Sequence, residues 1–406
     1  MPPINTGDTA FMMVAAAMVL FMTPGLALFY GGMVRRKNVL STLMQSIFAM
    51  GLISIIWAVI GYTLAFGKDV GGIIGNLQYL GLQGVTNTVY PAFPTIPQPV
   101  WAMYQGMFAI ITPALITGAF AERMKFKAYA LFIGLWSLIV YSPLAHWVWG
   151  GGWLMKLGAL DFAGGTVVHI ASASAALACC IMVGRRRGAG TEEVKPHNLP
   201  FTILGAGILW FGWFGFNAGS AVAANQVAAT AFMATHLAAA AGMLGWLAFE
   251  WAGKGSPTTL GAASGAVAGL VGITPAAGFV GPIPAIIIGL AAGIGCYYGV
   301  RMKERFHFDD ALDVVGVHGV GGTIGAILTG VFAGVASNAA YKGLLAGNPM
   351  QLVYQLVGVV ATIAFSLTVS LVLLKLIDLT IGLRVDAETE VAGLDVSEHA
   401  ETAYII

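Results

Sequence analysis

The chain has 406 residues, 58% of them hydrophobic and only 9% charged, with a net charge of +1. A soluble domain carries nearer a quarter of charged residues, so this composition reads as a protein dissolved in a bilayer. The neutral balance implies no nucleic-acid partner. Fifty-five glycines suit helices whose backbones approach closely in lipid.

Eleven apolar runs are long enough to cross a hydrocarbon core. They are roughly 9–34, 39–66, 99–120, 128–150, 162–184, 199–218, 225–251, 258–276, 283–302, 312–333 and 350–378. The fold expected is therefore an all-α membrane protein of eleven transmembrane helices. Met1 to Thr9 lacks the basic leader of a signal peptide, so the first run reads as a retained span. Each gap carries turn or charge signals, such as Arg35-Arg36-Lys37-Asn38 and the stretch from Arg185 to Lys195. With the N-terminus outside, sixteen of the nineteen Lys and Arg residues fall inside, and only Lys68, Lys156 and Lys342 fall outside. That bias gives an N-out, C-in orientation in the cytoplasmic (inner) membrane and supports an odd span count. Residues 1–385 form the transmembrane domain and 386–406 an acidic cytoplasmic tail.

Span five opens Asp161-Phe162-Ala163-Gly164-Gly165-Thr166-Val167-Val168-His169. Near span ten, Asp310 is followed at the same spacing by His318. As continuous helices, eight residues would put each His about 12 Å below its Asp, close to the membrane midplane. The two spans enter from opposite sides. This predicts an inverted repeat, about 9–184 against 199–333, with an extra span at 350–378 and a site at the pseudo-two-fold. A midplane His can serve merely as interhelical glue. Two at symmetric positions favour function, because imidazole donates and accepts hydrogen bonds and titrates near neutrality. No third ligand at matching depth argues for a metal, and no cofactor is implied. Asp161 and Asp310 read first as helix caps. Asp161 also adds negative potential near an outer entrance.

Aromatic residues gather at the outer ends of spans three, four and six: Trp101, Tyr104 and Phe108; Trp147 and Trp149; Trp213, Phe214 and Phe216, followed by Ser220. An interfacial belt explains any one of them. Ring faces beside a hydroxyl also form a site for a small cation, worth about 2 kcal/mol when desolvated. Cys179 and Cys180 are adjacent and Cys296 lies elsewhere, so no disulfide framework exists. No nucleophile elbow, Walker loop, HExxH or dinucleotide fingerprint is present, and an intramembrane enzyme lacks a nucleophile motif near the histidines.

These stretches resemble the ammonium transporter (Amt/Rh) family, its bacterial and archaeal Amt branch in particular. The resemblance rests on Pro24 to Gly32, Gly118 to Arg123, Asp161 to Ile170, Phe211 to Ser220 and Gly316 to Gly319, and runs from about Phe11 into the tail. It implies a homotrimer of eleven-helix subunits, each with its own pore, that conducts ammonium or ammonia and is not an enzyme. By motif, Trp149 and Ser220 correspond to the outer recruitment site, with Tyr104 and Phe108 beside them and Asp161 in support. Phe108 and Phe216 correspond to a stacked ring gate. His169 and His318 correspond to the twin histidines lining the pore and relaying protons, with Trp213 on the pore wall. Tyr104 keeps the family's ring and adds a hydroxyl. The tail from Gly393 to Tyr404 resembles the segment that binds a PII-type signal protein. The alternatives are an ammonium sensor signalling through such a protein and a channel for another small neutral solute.

Overall fold

The computed structural model describes residues 4–189, 195–337 and 340–404. Residues 190–194 of the loop expected between spans five and six lie outside that description. Among the described residues, ten helices are long and apolar enough to cross a membrane. In chain order they are α1 (Thr6–Met33), α2 (Arg36–Phe66), α3 (Gln98–Phe120), α4 (Phe126–Leu157), α5 (Gly165–Val183), α6 (Leu199–Gly219), α7 (Gln226–Lys254), α9 (Pro282–Arg305), α10 (Val315–Phe332) and α11 (Met350–Ile381). Where the sequence predicts a span over 258–276 there is a shorter apolar helix, α8 (Thr259–Ile273). It stops early because Thr274 ends it and Pro275 brings no N–H to extend the ladder.

Local chemistry fixes several starts. The Asn5, Asn198 and Asn225 side chains accept from backbone N–H groups of the first turns of α1, α6 and α7, and Thr258 does the same for α8. Two-stranded ribbons, Asp69–Val70 with Ile74–Gly75 and Val89–Tyr90 with Phe93–Pro97, fill the long α2–α3 connection. Packing depends on small residues. A Cβ on Gly205 of α6 would lie 2.3 Å from the Phe29 nitrogen of α1, so the two backbones touch there.

Helices α5 and α10 run antiparallel. Gly165 faces Gly322, and Ala173 faces Gly319. Neither helix starts at its aspartate, which corrects the eight-residue helical spacing expected from sequence. Gly164 adopts φ 119°, which favours glycine, and Asp313 φ 63°. Both chains therefore turn before the helix begins. His169 is the fifth residue of α5 and His318 the fourth of α10, so each ring lies only about 5–6 Å from a helix start. Both histidines sit in π-helical turns, Gly165–Ile170 and Val315–Gly319. Such turns are rare and collect at functional sites.

Beyond α11, two short helices, α12 (Ala387–Ala392) and α13 (Leu394–His399), dock against the α1–α2 and α3–α4 turns. Asp395 accepts from the Ser41 N–H at 2.8 Å, Asn38 accepts from the Leu394 N–H at 2.8 Å, and Glu398 accepts from the Phe126 N–H at 3.0 Å. Arg384 pairs with buried Glu390 at 2.7 Å.

Candidate functional site: an aromatic cup, a ring gate and a histidine-lined lumen

A cavity of about 120 Å³ opens between the ends of α3, α4 and α6. Trp101, Phe108, Trp149, Phe162 and Ser220 line it, so three of the predicted residues come together. The Trp149 indole N–H donates to the Asp161 carbonyl at 2.9 Å, which pins the ring edge and leaves its face for the cavity. The Ser220 hydroxyl donates to the Phe216 carbonyl at 2.9 Å. Its single proton is thus engaged, and its oxygen remains an acceptor. Ring faces and an accepting oxygen on one wall suit a small cation that donates hydrogen bonds.

Two predicted residues stand behind this wall instead of on it. Tyr104 is fully buried. Its hydroxyl lies 2.8 Å from the Phe216 carbonyl and 3.2 Å from Ser220 Oγ, so it braces the serine. Asp161 turns inward. Its Oδ1 accepts from the N–H groups of Gly164 (2.8 Å) and Gly165 (2.6 Å). Its Oδ2 accepts from the N–H groups of Thr166 (2.8 Å) and Val167 (3.3 Å) and from the Thr166 hydroxyl. The capping role expected from sequence is complete, and the carboxylate does not border the cavity.

Sequence reasoning missed Gln105. It lines the cavity, is 5% exposed, and its Oε1 has no hydrogen-bond partner among the described residues. The amide thus borders the wall while its oxygen is itself buried. A glutamine inside an otherwise apolar span was the available signal.

Phe108 and Phe216 close the floor of the cavity, with ring centroids 4.2 Å apart and planes tilted by 32°. Below them the space narrows to about 10 Å³, lined by His169, His318, Trp213, Phe216 and aliphatic side chains such as Leu115 and Leu209. That is room for about one water-sized molecule. The His169 ring stacks on Trp213 with centroids 5.5 Å apart.

The two histidines meet through their Nδ1 atoms at 3.1 Å. One must donate and the other accept, so the rings cannot both carry a proton there. The donor ring then holds a bare Nε2 and the acceptor ring an Nε2–H. His169 Nε2 has no protein partner among the described residues. The pair therefore presents one acceptor and one donor, complementary to a neutral amine.

On the far side of His318 a separate small space lined by Tyr30, Ser264 and Asp313 adjoins a cavity of about 430 Å³ bordered by Arg185, Arg186, Lys303 and Asp309. Arg186 pairs with Asp309 at 2.9 Å, and its guanidinium and that of Arg123 hold the Asp309 carboxyl at about 2 despite burial. Burial, reinforced by Asp313, raises the neighbouring Asp310 carboxyl to about 6.

The match with known proteins covers nearly the whole chain. Residues 10–404 fit the model of the Ammonium Transporter Family. The chain belongs to that family. It is 52% identical over 403 residues to an ammonium transporter of Bacillus subtilis, covering 99% of each chain. It is 46% identical over 401 residues to ammonium transporter Amt1 of Archaeoglobus fulgidus, covering 99% of this chain and 100% of that one. The crystal structure of Saccharomyces cerevisiae Mep2 superposes with a TM-score of 0.89 at 39% identity, over 95% of this chain and 88% of that one. A structure described as a sensor Amt protein gives 0.90 at 30% identity, over 97% and 98%. This is a multi-pass membrane transporter of ammonium and not an enzyme.

Proposed function

We propose that this transporter recruits ammonium in the outer cup, strips one proton, and conducts ammonia through the histidine-lined lumen. The observation that carries this reading is the sequence of spaces: an aromatic and hydroxyl cup, a closed ring pair, then a one-molecule lumen whose polar groups are a donor–acceptor histidine pair. Ammonium binds over Trp149 and donates to Ser220 Oγ. Asp161 supports the cup through the Trp149 anchor and by capping α5. Tyr104 fixes Ser220. Phe108 and Phe216 form the gate, and a bare ion does not pass it because burying an unpaired charge is very costly. An N–H bond of ammonium breaks at the gate, its electron pair staying on nitrogen and its proton passing to a water molecule in the cup. Ammonia then accepts from one His Nε2–H and donates to the other Nε2, with Trp213 as the wall. Potassium has no proton to lose and is left outside.

The inverted 5+5 repeat, the eleventh span outside it, N-out/C-in orientation in the cytoplasmic membrane, and the division at residue 385 belong to the same reading. So does a homotrimer. His236 on α7 is exposed about midway along that helix, and a second copy covering it removes a polar ring from lipid. The docked tail, Gly393 to Tyr404, is the proposed contact for a PII-type protein. A truncation from Gly393 onward that binds such a protein as tightly as the full chain would refute that contact.

Proteoliposome current after an ammonium jump, with potassium as control and internal pH recorded alongside, tests the core claim. Saturable ammonium uptake without potassium current supports it. Current with uptake places the proton through the His169–His318 pair, and uptake without current leaves the proton outside. Binding without flux identifies a sensor and overturns transport by this route. Replacing both histidines by Ala with potassium exclusion and ammonium current unchanged would overturn the relay.

A further inference from the structure

We propose that Gln355, on α11, is a positioning residue for the ammonium-recruitment site, acting through the backbone immediately before Asp161. The inference rests on the reading of Trp149 and Ser220 as that site.

The residues Gly158, Ala159 and Leu160 form no helix, yet they carry the chain into Asp161. A non-helical segment inside a membrane protein must find partners for its peptide groups. Gln355 supplies them from the opposite side. Its Oε1 accepts from the Leu160 N–H at 2.7 Å, and its Nε2 donates back to the Leu160 carbonyl at 2.7 Å. The same Nε2 donates to the Ala326 carbonyl of α10 at 3.0 Å. Gln351, one turn earlier, donates to the Gly158 carbonyl at 2.8 Å and to Gln355 Oε1 at 3.2 Å. Both amides are buried, Gln355 to 2% exposure.

One side chain thus closes a two-point clasp on Leu160 and ties it to the helix bearing His318. The next residue, Asp161, caps the helix bearing His169 and receives the Trp149 indole bond through its carbonyl. A shift of Leu160 moves that carbonyl, and with it the Trp149 ring edge. Displacements of about 1 Å at a binding constellation change its performance up to about a hundredfold. The eleventh helix therefore has a task at the outer cup although it lines neither the cup nor the lumen.

The test uses full-length protein in proteoliposomes, with methylammonium and ammonium uptake normalised to folded protein. Gln355→Met keeps the length of the side chain and removes every bond. Gln355→Glu keeps the acceptor and removes both donations. Each is expected to raise the half-saturation concentration about tenfold while the maximal rate stays within about twofold, with potassium still excluded. The control is Ser370→Ala, on the same helix, which deprives the Trp136 indole of its buried acceptor (3.0 Å) far from Asp161. It is expected to lower thermal stability without changing half-saturation. Unchanged half-saturation in a folded Gln355 variant, or an equal rise in Ser370→Ala, overturns the proposal.

Trp149→Leu and Ser220→Ala in the same assay separate the two levels. If they too leave half-saturation unchanged, the site reading fails; if they raise it and Gln355→Met does not, only the positioning role fails. A measurement on the unaltered protein needs no variant to fold. Hydrogen–deuterium exchange is expected to show the Leu160 amide protected like a core-helix amide, and exchange at loop rates overturns the clasp.

Discussion

Asp161→Asn is the sharpest single perturbation. The native carboxylate accepts five hydrogen bonds, two on Oδ1 and three on Oδ2. Asparagine keeps one accepting oxygen and replaces the other with an NH₂ group, which cannot accept. In the better of its two orientations the oxygen serves Thr166 and Val167, and the Gly164 and Gly165 N–H groups face a donor. Each buried donor so orphaned costs about 1–3 kcal/mol. Loss of the negative charge at a helix N-terminus adds about 0.3–1 kcal/mol. The expected loss is therefore about 4 kcal/mol of unfolding free energy, measured by denaturant titration in mixed micelles. Thr166→Val removes one of the five bonds and should cost about 1–2 kcal/mol. The half-saturation for ammonium should rise in Asp161→Asn, because the Trp149 anchor is the carbonyl of this residue. A loss below about 1 kcal/mol would refute the capping argument. Abolished transport at unchanged stability would show instead that the carboxylate is a direct ligand.

Three further outcomes follow from the geometry. Phe216→Ala removes one ring of the 4.2 Å gate pair and should admit a potassium current in proteoliposomes, at a stability cost of about 3–5 kcal/mol; continued potassium exclusion would refute the gate. Asp310 holds its proton more tightly folded than unfolded, with the carboxyl at about 6. Its contribution is complete below the unfolded value near 3.8 and lost as pH rises through about 6, some 3 kcal/mol in all. Thermal stability should fall across that window in the native chain and stay flat in Asp310→Asn. Asp309 behaves oppositely: with its carboxyl at about 2, its contribution is present above about 4 and lost as pH falls toward 2. Asp309→Asn should remove that acid-side loss, read from thermal midpoints between pH 5 and 2.

The spans were legible because hydropathy accumulates over twenty residues, and the two histidines because a titratable group in an apolar run has few bland explanations. The start of α5 was not legible. Asp161 to Gly164 is apolar enough to read as helix, and only the φ of 119° at Gly164, needed for the cap, ends that reading. The shortness of α8 was announced by Pro275, but the apolar residues around it concealed the stop. Tyr104 and Asp161 read as neighbours of Trp149 and Ser220, but their place behind the wall was not legible, since a motif carries proximity and not direction. Gln105, Gln351 and Gln355 leave no local pattern, although uncharged amides within apolar spans are themselves a signal of buried partners.

On the proposed reading, selectivity depends on where the two aspartates act. Helices α5 and α10 both begin inside the protein, with their N-terminal ends overlapping around the histidine pair. A buried helix N-terminus leaves N–H groups unpaired and carries partial positive charge. Asp161 answers this on α5 with a full set of acceptors, and Asp310 on α10 with one backbone bond, its Oδ2 to the Val315 N–H at 2.7 Å. The Asp161 carboxylate is consumed by the scaffold, Asp310 keeps its buried Oδ1 without a hydrogen-bond partner among the described residues, and both lie outside the lumen lining. A cation that enters the lumen thus meets aliphatic groups, ring faces and a histidine pair in which the shared proton already occupies the facing nitrogens. On the proposed reading, this spending of the negative charge on helix starts is what makes deprotonation a condition of passage. Ammonium meets it by releasing a proton at the gate, and potassium has no equivalent step.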